Sequence, residues 1–240
     1  MQGHTKTENK SETSQVLPVS RTKEEAKRFY DRISGVYDCF TRAFERKHAE
    51  RTLECLSIKK GEMVLEIGFG SGHCLKRIAQ SVGETGKVRG IDISAGMLEV
   101  TKRRLRKAQL IDRVGLCRGD AARLPYSDNA FDAIFVSFTL ELFDTPEISK
   151  VLEEIKRILR PTGRLGIASM SRESGKSAPL RLYEWAHRKW PRYVDCRPIY
   201  LEESLMDAGY RIRRREMTRM VGLPIEIIVA TKATSDSFVP

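Results

Sequence analysis

Apolar positions change their period several times along the chain, and each change marks an element. From Lys23 to Leu56, Phe29, Tyr30, Ile33, Val36, Tyr37, Phe40 and Phe44 recur at steps of three and four, broken near Gly35. That spacing gathers them on one helical face and predicts two helices. After the turn at Lys60-Gly61, short apolar runs alternate with helical stripes. Strands are predicted at MVLEI (63–67), VRGID (88–92), RVGLC (113–117), FDAIFVS (131–137) and GRLGIAS (163–169), and helices at GHCLKRIAQSV and AGMLEVTKRRLRKAQ. Thr145-Pro146 opens another helix, a capping hydroxyl followed by proline in the first turn. Ile148, Val151, Leu152, Ile155, Ile158 and Leu159 form its stripe, and Pro161-Thr162-Gly163 ends it.

Strands that alternate with helices and are apolar on both faces belong to a mostly parallel sheet. Residues 171–200 break the rhythm with Ser, Gly and Pro around one helical stretch. Two strand-like runs follow, YRIRRREMTRM and IEIIVATK, joined only by Val221-Gly222-Leu223-Pro224. So short a link holds no crossover helix, so this pair is antiparallel. The expected organisation is a polar tail (1–22), a helical cap (23–60), a main α/β domain (61–232) with a substrate-side insertion at 171–200, and a short tail (233–240).

Composition narrows the picture. The 240 residues carry 43 Lys plus Arg against 32 Asp plus Glu, a formal charge of +11. The basic excess gathers at Lys102–Lys107 (KRRLRK) and Arg211–Arg219 (RIRRREMTR). Such clusters suit phosphates or an anionic membrane surface as a peripheral partner. The plain alternative is a solvated face, supported by Leu98, Thr101, Leu105 and Ala108 at helical spacing opposite the first cluster. Apolar stretches such as Ala133 to Val136 fall far short of the ~18 residues needed to span a bilayer. The polar N-terminus lacks a secretory core, so the cytoplasm is the expected location. Five scattered cysteines without a CxxC pair read as reduced thiols, and histidines at 4, 48, 73 and 187 offer no metal-binding spacing.

Glu66-Ile67-Gly68-Phe69-Gly70-Ser71-Gly72 follows the first strand and opens its helix. Glycines there let the backbone turn sharply beside a ligand at the carboxyl end of the strand. A dinucleotide fingerprint counted from Gly68 needs glycine at 73, where the chain has His73, which weakens a nicotinamide-dependent oxidoreductase reading. Neither Gly86-Lys87 nor Gly175-Lys176-Ser177 completes a phosphate loop. The loop itself holds no Lys or Arg, so a nucleoside without phosphate fits better. Asp92 ends the second strand, where a carboxylate can accept both ribose hydroxyls.

These residues resemble class I S-adenosylmethionine-dependent methyltransferases of Rossmann-like fold, with a seven-stranded sheet. The match runs in order through LEIGFGSG, GIDIS, RGDAARLPYSDNAFDAIFVSF and RILRPTGRLGIAS. Within that superfamily, FYDRISGVYD (29–38), VGETGKV (82–88) and Ser137-Phe138 are similar to the ubiquinone/menaquinone-biosynthesis C-methyltransferase group. The chain differs from that group at Cys39-Phe40-Thr41, where those enzymes have Met-Asn after Tyr-Asp. It differs again at Ser169-Met170-Ser171, where they have Glu-x-Ser, and in the stretch MVGLPIEIIVATK. The resemblance implies S-adenosylmethionine as cofactor and S-adenosylhomocysteine as product. It assigns the methionine end to Glu66, Gly68, Gly70 and Gly72, the ribose to Asp92, and places beside the adenine Ile93, Met97, Asp120 and Ala121. Ser137 would face the methionyl side, and Tyr37 would cover the site.

Methyl transfer from a sulfonium mostly requires alignment, which can supply about 7–11 kcal/mol of the barrier. The acceptor is expected above the strand ends, beneath the N-terminal helices and the insertion. There Leu180, Tyr183, His187 and Trp190 share one face of a predicted helix; Tyr183 or His187 could move a proton, as could Glu141 after the fourth strand. Their plain reading is packed core and a surface carboxylate. The expected acceptor is a small molecule, such as a quinone precursor or another lipophilic aromatic metabolite. Methylation of RNA is the alternative suggested by charge. Against it, the chain reads SFTLELF where base-amine methyltransferases carry Asn/Asp-Pro-Pro-aromatic, and no cysteine follows proline.

Overall fold

The computed structural model of the chain describes residues 22–34, 44–172, 183, 185, 189 and 196–233. In chain order the elements are α1 (Lys23–Ile33), α2 (Arg46–Leu56), β1 (Met63–Ile67), α3 (His73–Val82), β2 (Lys87–Asp92), α4 (Ala95–Lys107), β3 (Val114–Arg118), β4 (Phe131–Ser137), α5 (Thr145–Ile158), β5 (Leu159–Met170), α6 (Leu201–Asp207), β6 (Tyr210–Met220) and β7 (Leu223–Lys232). Helix α1 and the strand–helix alternation fall where the periodicity predicts them; of the second predicted stripe, Val36, Tyr37 and Phe40 lie outside the described residues, and α2 begins only after Phe44.

The strands form one sheet in the order β3-β2-β1-β4-β5-β7-β6. The first five are parallel, whereas β7 runs antiparallel to both β5 and β6. This is the expected Rossmann-like α/β sheet closed by an antiparallel hairpin. Alternate side chains serve opposite faces. Leu65, Ile67, Ile134, Val136, Leu165 and Ile167 pack with the stripes of α5 and α6, while Val64, Val88, Ala133 and Phe135 pack with α2, α3 and α4. A third cluster of Phe138, Ala168, Met170, Ile225 and Ile227 lies at the carboxyl ends of β4 and β5.

Two local readings need correction. Asp144, not Thr145, is the N-cap of α5, and it makes no side-chain capping bond; the Thr145 hydroxyl instead accepts from Arg197 Nη1 at 3.3 Å. At its other end α5 stops at Ile158, before Pro161-Thr162-Gly163. Leu159 already pairs with Phe131, and the register then jumps to Ala133 opposite Arg164. Burying Leu159 against its neighbour strand outweighs one more helical turn, so the Pro-Thr-Gly stretch is an irregularity inside β5.

Strand order reverses between β1 and β4, which opens a crevice at their carboxyl ends, the usual ligand position in such sheets. Helix α1 closes it. Thr22 and Glu25 form a reciprocal cap at its start. Near its end Asp31 accepts from the Ser94 hydroxyl at 2.6 Å and the Gly96 N–H at 2.9 Å. Burial raises the Asp31 pKa, but those donors outweigh it and hold the carboxyl below its ordinary value.

Candidate functional site

The glycine loop is shaped by its neighbours. Gly68 adopts φ +71°, and a Cβ there would fall 2.2 Å from Thr139 Oγ1; Gly72, the N-cap of α3, adopts φ +75°, and a Cβ would fall 2.5 Å from Thr101 Cγ2. Helix α4 braces the loop. The Thr101 hydroxyl donates to the Gly70 carbonyl at 2.9 Å, and Arg104 donates to Ser71 Oγ at 2.8 Å and to the Ser71 carbonyl. One member of the KRRLRK run is therefore recruited to the loop instead of standing on a solvated face.

Beyond the loop lies a cavity of about 380 Å³. Of the residues assigned to a cofactor, Gly68, Gly70, Asp92, Ile93, Met97, Asp120, Ala121 and Ser137 line it. Asp92 is fixed there by two backbone donors: Gly70 N–H at 2.8 Å and Ser94 N–H at 2.9 Å. Burial raises its pKa against the pull of those bonds. Gly72 and Glu66 are not on the wall. Gly72 turns the chain into α3, and Glu66 is buried beneath the loop, where burial and then the Asp92 charge push its pKa well above the usual carboxylate range. Glu66 Oε2 and Ser137 Oγ are buried without a hydrogen-bond partner among the described residues, so both retain capacity for a ligand. Tyr37 lies outside the described residues.

Sequence reasoning missed the opposite wall. Thr22, Lys23, Ala26 and Tyr30 of the α1 region face Leu142, Phe143, Asp144 and Glu147 across the opening, with Phe138 and Thr139 at the end of β4. Lys23 Nζ meets Asp120 at 2.6 Å and Glu147 at 2.7 Å. The apolar spacing of Ala26 and Tyr30 announces a helix face, but nothing local says what that face covers. Phe138 carries a positive φ of 49°, a strained conformation for an aromatic residue beside a site.

Of the candidate proton carriers, Glu141 and Tyr183 are not on the described wall. Glu141 is fully buried and accepts from the Ser169 hydroxyl at 3.1 Å and the Met170 N–H at 3.3 Å, so it is not the surface carboxylate of the plain reading. Tyr183 donates to the Cys196 carbonyl at 3.1 Å and packs on the third apolar cluster. His187 lies outside the described residues, as do Leu180 and Trp190.

The wall has a marked charge imbalance. Asp92, Asp120, Asp144 and Glu147 face it, and among the described residues Lys23 is its single basic side chain, held by two of those carboxylates. Such a wall favours a cation and opposes a pyrophosphate.

The glycine loop, the carboxylate that ends β2 and this sheet order are similar to those of methyltransferases, and residues 64–163 match the family model described as a methyltransferase domain. Among relatives, the chain is similar to a demethylmenaquinone methyltransferase of Lactobacillus johnsonii, 32% identical over 142 residues, covering 59% of this chain and 56% of that one. It is also 34% identical over 121 residues to a ubiquinone/menaquinone biosynthesis C-methyltransferase of Haemophilus ducreyi, covering 50% and 46%. The chain thus spans about half the length of these relatives. Among solved structures, a methyltransferase from Aquifex aeolicus described as SAM-dependent superposes with a TM-score of 0.58 at 25% identity, covering 88% of this chain and 99% of that one. The [4+2]-cyclase SpnF superposes with 0.72 at 20% identity, covering 92% and 99%, a likeness of fold alone.

Proposed function

We propose that the protein is an S-adenosylmethionine-dependent methyltransferase acting on a small lipophilic or aromatic acceptor. The observation that carries this reading is the acidic cavity wall around a glycine loop without a cation of its own. The cofactor supplies an electrophilic methyl group on a positively charged sulfur. Asp92 would hold the ribose hydroxyls, its carboxylate pre-set by the Gly70 and Ser94 amides. Asp120 and Ala121 would meet the adenine edge, beside Ile93 and Met97. Glu66 and Ser137, with their unused oxygens, would take up the ammonium and the methionyl side. Gly68 would let the backbone approach closely, since any Cβ is already excluded by Thr139.

On the acceptor side, Tyr30, Phe138, Leu142 and Phe143 offer an apolar, partly aromatic wall. Such a wall orients a flat acceptor and keeps water from the reacting sulfur, which loses its charge in the transfer. Quinone precursors belong to this class, and the relatives' names support them; the differences at Ser169-Met170-Ser171 and in the β6–β7 region leave room for another ring system. The acidic wall argues against a nucleic-acid acceptor, whose phosphates it would repel. The described cysteines, Cys55, Cys74, Cys117 and Cys196, are free thiols, which supports the cytoplasm as the proposed compartment.

Calorimetry tests the reading directly. S-adenosylmethionine and S-adenosylhomocysteine should bind, and NAD should not compete. Folded protein that binds neither, or binds NAD in their place, refutes it.

A further inference from the structure

We propose that the end of the molecule around the β6–β7 hairpin tip docks on an anionic lipid bilayer. The tip is a two-residue turn: Met220 pairs with Leu223, leaving Val221 at φ 50° and Gly222 at φ 82°. Left-handed backbone is an outlier for a β-branched residue, which Asn or Gly would adopt at lower cost. Yet Val221 is 72% exposed. Strain and an exposed isopropyl group both count against this residue in water, and a strained apolar tip fits a contact made outside the protein.

The tip also belongs to the ligand end of the sheet. Met170, the last residue of β5, pairs with Ile225, and Ser171 N–H donates to the Pro224 carbonyl at 2.9 Å. Met220 and Leu223 pack on the cluster that contains Phe138, and Phe138 lines the cavity. A continuous apolar seam therefore joins the tip to the cavity. Two exposed aromatic residues lie close in sequence to residues of the same seam. Trp185 follows Tyr183, which packs on that cluster, and Phe44 precedes His48, whose ring meets Phe138 edge-on at 6.4 Å.

Charge selects the occupant. Lys47 and Arg219 are exposed beside these apolar residues and make no ion pair among the described residues, while Glu216 is already held by Arg51 and Arg214. A second copy would bring the same unpaired cations against one another, within a chain of net charge +11. Aromatic and aliphatic tips flanked by cations suit the headgroup region of an anionic bilayer. The proposal stands apart from the methyl-transfer reading, because it concerns only which surface meets the lipid.

The test is flotation of the full chain with phosphatidylcholine vesicles prepared with and without phosphatidylglycerol. Binding should require the anionic lipid. Val221→Asn, which suits the left-handed turn and removes the apolar tip, should lower partitioning by about tenfold or more, as expected for losing an isopropyl group, while keeping the melting temperature at or above that of the parent. Lys47→Gln and Arg219→Gln should each cost about fivefold. Met206→Asn, at an exposed apolar site in α6 at the opposite end of the sheet, should change nothing. The proposal is overturned if the parent ignores anionic vesicles, if Val221→Asn binds as well as the parent, if Met206→Asn loses as much, or if sedimentation shows a dimer that Val221→Asn dissociates.

Discussion

The two walls of the cavity are built from different materials. On the cofactor side the working contacts come mostly from backbone: Gly70 and Ser94 amides on Asp92, a glycine turn excluded from carrying a Cβ, and short links between a strand and the next helix. On the acceptor side the structure depends on buried charge. Arg197, 1% exposed, donates to the Phe143 carbonyl and to Thr145, and so ties the end of the 171–200 insertion to the cavity wall. Burial lowers its pKa, against the opposing fields of Asp144 and Glu141. Nearby, the buried Glu226 accepts from the Ser171 hydroxyl and is paired with Arg215. Backbone contacts tolerate many side-chain changes, whereas buried charges fail when one partner is lost. The cofactor wall should therefore withstand mutations that collapse the acceptor wall.

The strongest test of that contrast is Arg197→Ala. It leaves the Phe143 carbonyl without its donor and removes the counter-charge near Glu141, which should cost about 3 kcal/mol. For a chain of this size the melting temperature should fall by roughly 6–12 °C. Cofactor affinity at low temperature should stay within about threefold of the parent. A comparable loss of cofactor binding would show that the two walls are one unit.

Asp92→Ala reverses the pattern. It should weaken S-adenosylhomocysteine binding about 100-fold, since charge-assisted bonds to the ribose contribute about 1.5–3 kcal/mol each. Its effect on the ligand-free melting temperature should be small, because removing a partly buried acidic group whose pKa is already raised also removes a desolvation cost. Isothermal calorimetry and thermal unfolding on the same sample separate the two effects.

This division also explains what the sequence made legible. The glycine loop, Asp92 and the strand–helix alternation are written in short windows, because a turn needing φ above zero and a period of two or 3.6 leave local marks. Eight of the eleven cofactor assignments reach the cavity wall on that basis. Glu66 was visible as an anion, but not as one buried beneath the loop. The acceptor wall left no such mark. Lys23 meets Asp120 across 97 residues and Arg197 meets Phe143 across 54, and no spacing rule connects residues so far apart. The basic run at 102–107 looked like a solvated face because periodicity separates sides of a helix and does not show which arginine turns back to a loop.

A smaller effect, readable in pH, sharpens the cofactor side. The folded-state pKa of Glu66 is raised, so between the ordinary carboxylate range and that raised value the folded protein holds a proton that the unfolded chain has released. Glu66 therefore contributes stability to the ligand-free protein that is lost as pH rises through this window. Asp92 adds a slope of the same sign. Glu66→Gln should flatten the slope by one proton's share in melting curves taken against pH. Binding a ligand that presents an ammonium group favours ionised Glu66, so calorimetry in buffers of different ionisation enthalpy should detect proton release in the parent and less in Glu66→Gln. No release in the parent would detach Glu66 from the ligand.

The smallest expected effect belongs to the helix that bridges the two walls. Lys23 pairs with Asp120 on one side and Glu147 on the other, but all three side chains are about one-third exposed, at 37%, 34% and 35%. Solvent screens such pairs, which leaves each about 0–1 kcal/mol. Lys23→Met should therefore shift the melting temperature by only a degree or two and speed release of bound S-adenosylhomocysteine a few-fold in stopped-flow displacement. Raising salt should bring the parent toward the variant. Asp31→Ala, at the other end of α1, removes an acceptor with one hydroxyl and one amide donor and should speed release more. Those donors cap α4, which itself braces the glycine loop through Thr101 and Arg104, so the change reaches the cofactor wall through backbone as well as through charge. If Lys23→Met proved the more severe of the two, α1 would be held by its ion pairs and would belong with the acceptor wall, not with the cofactor wall.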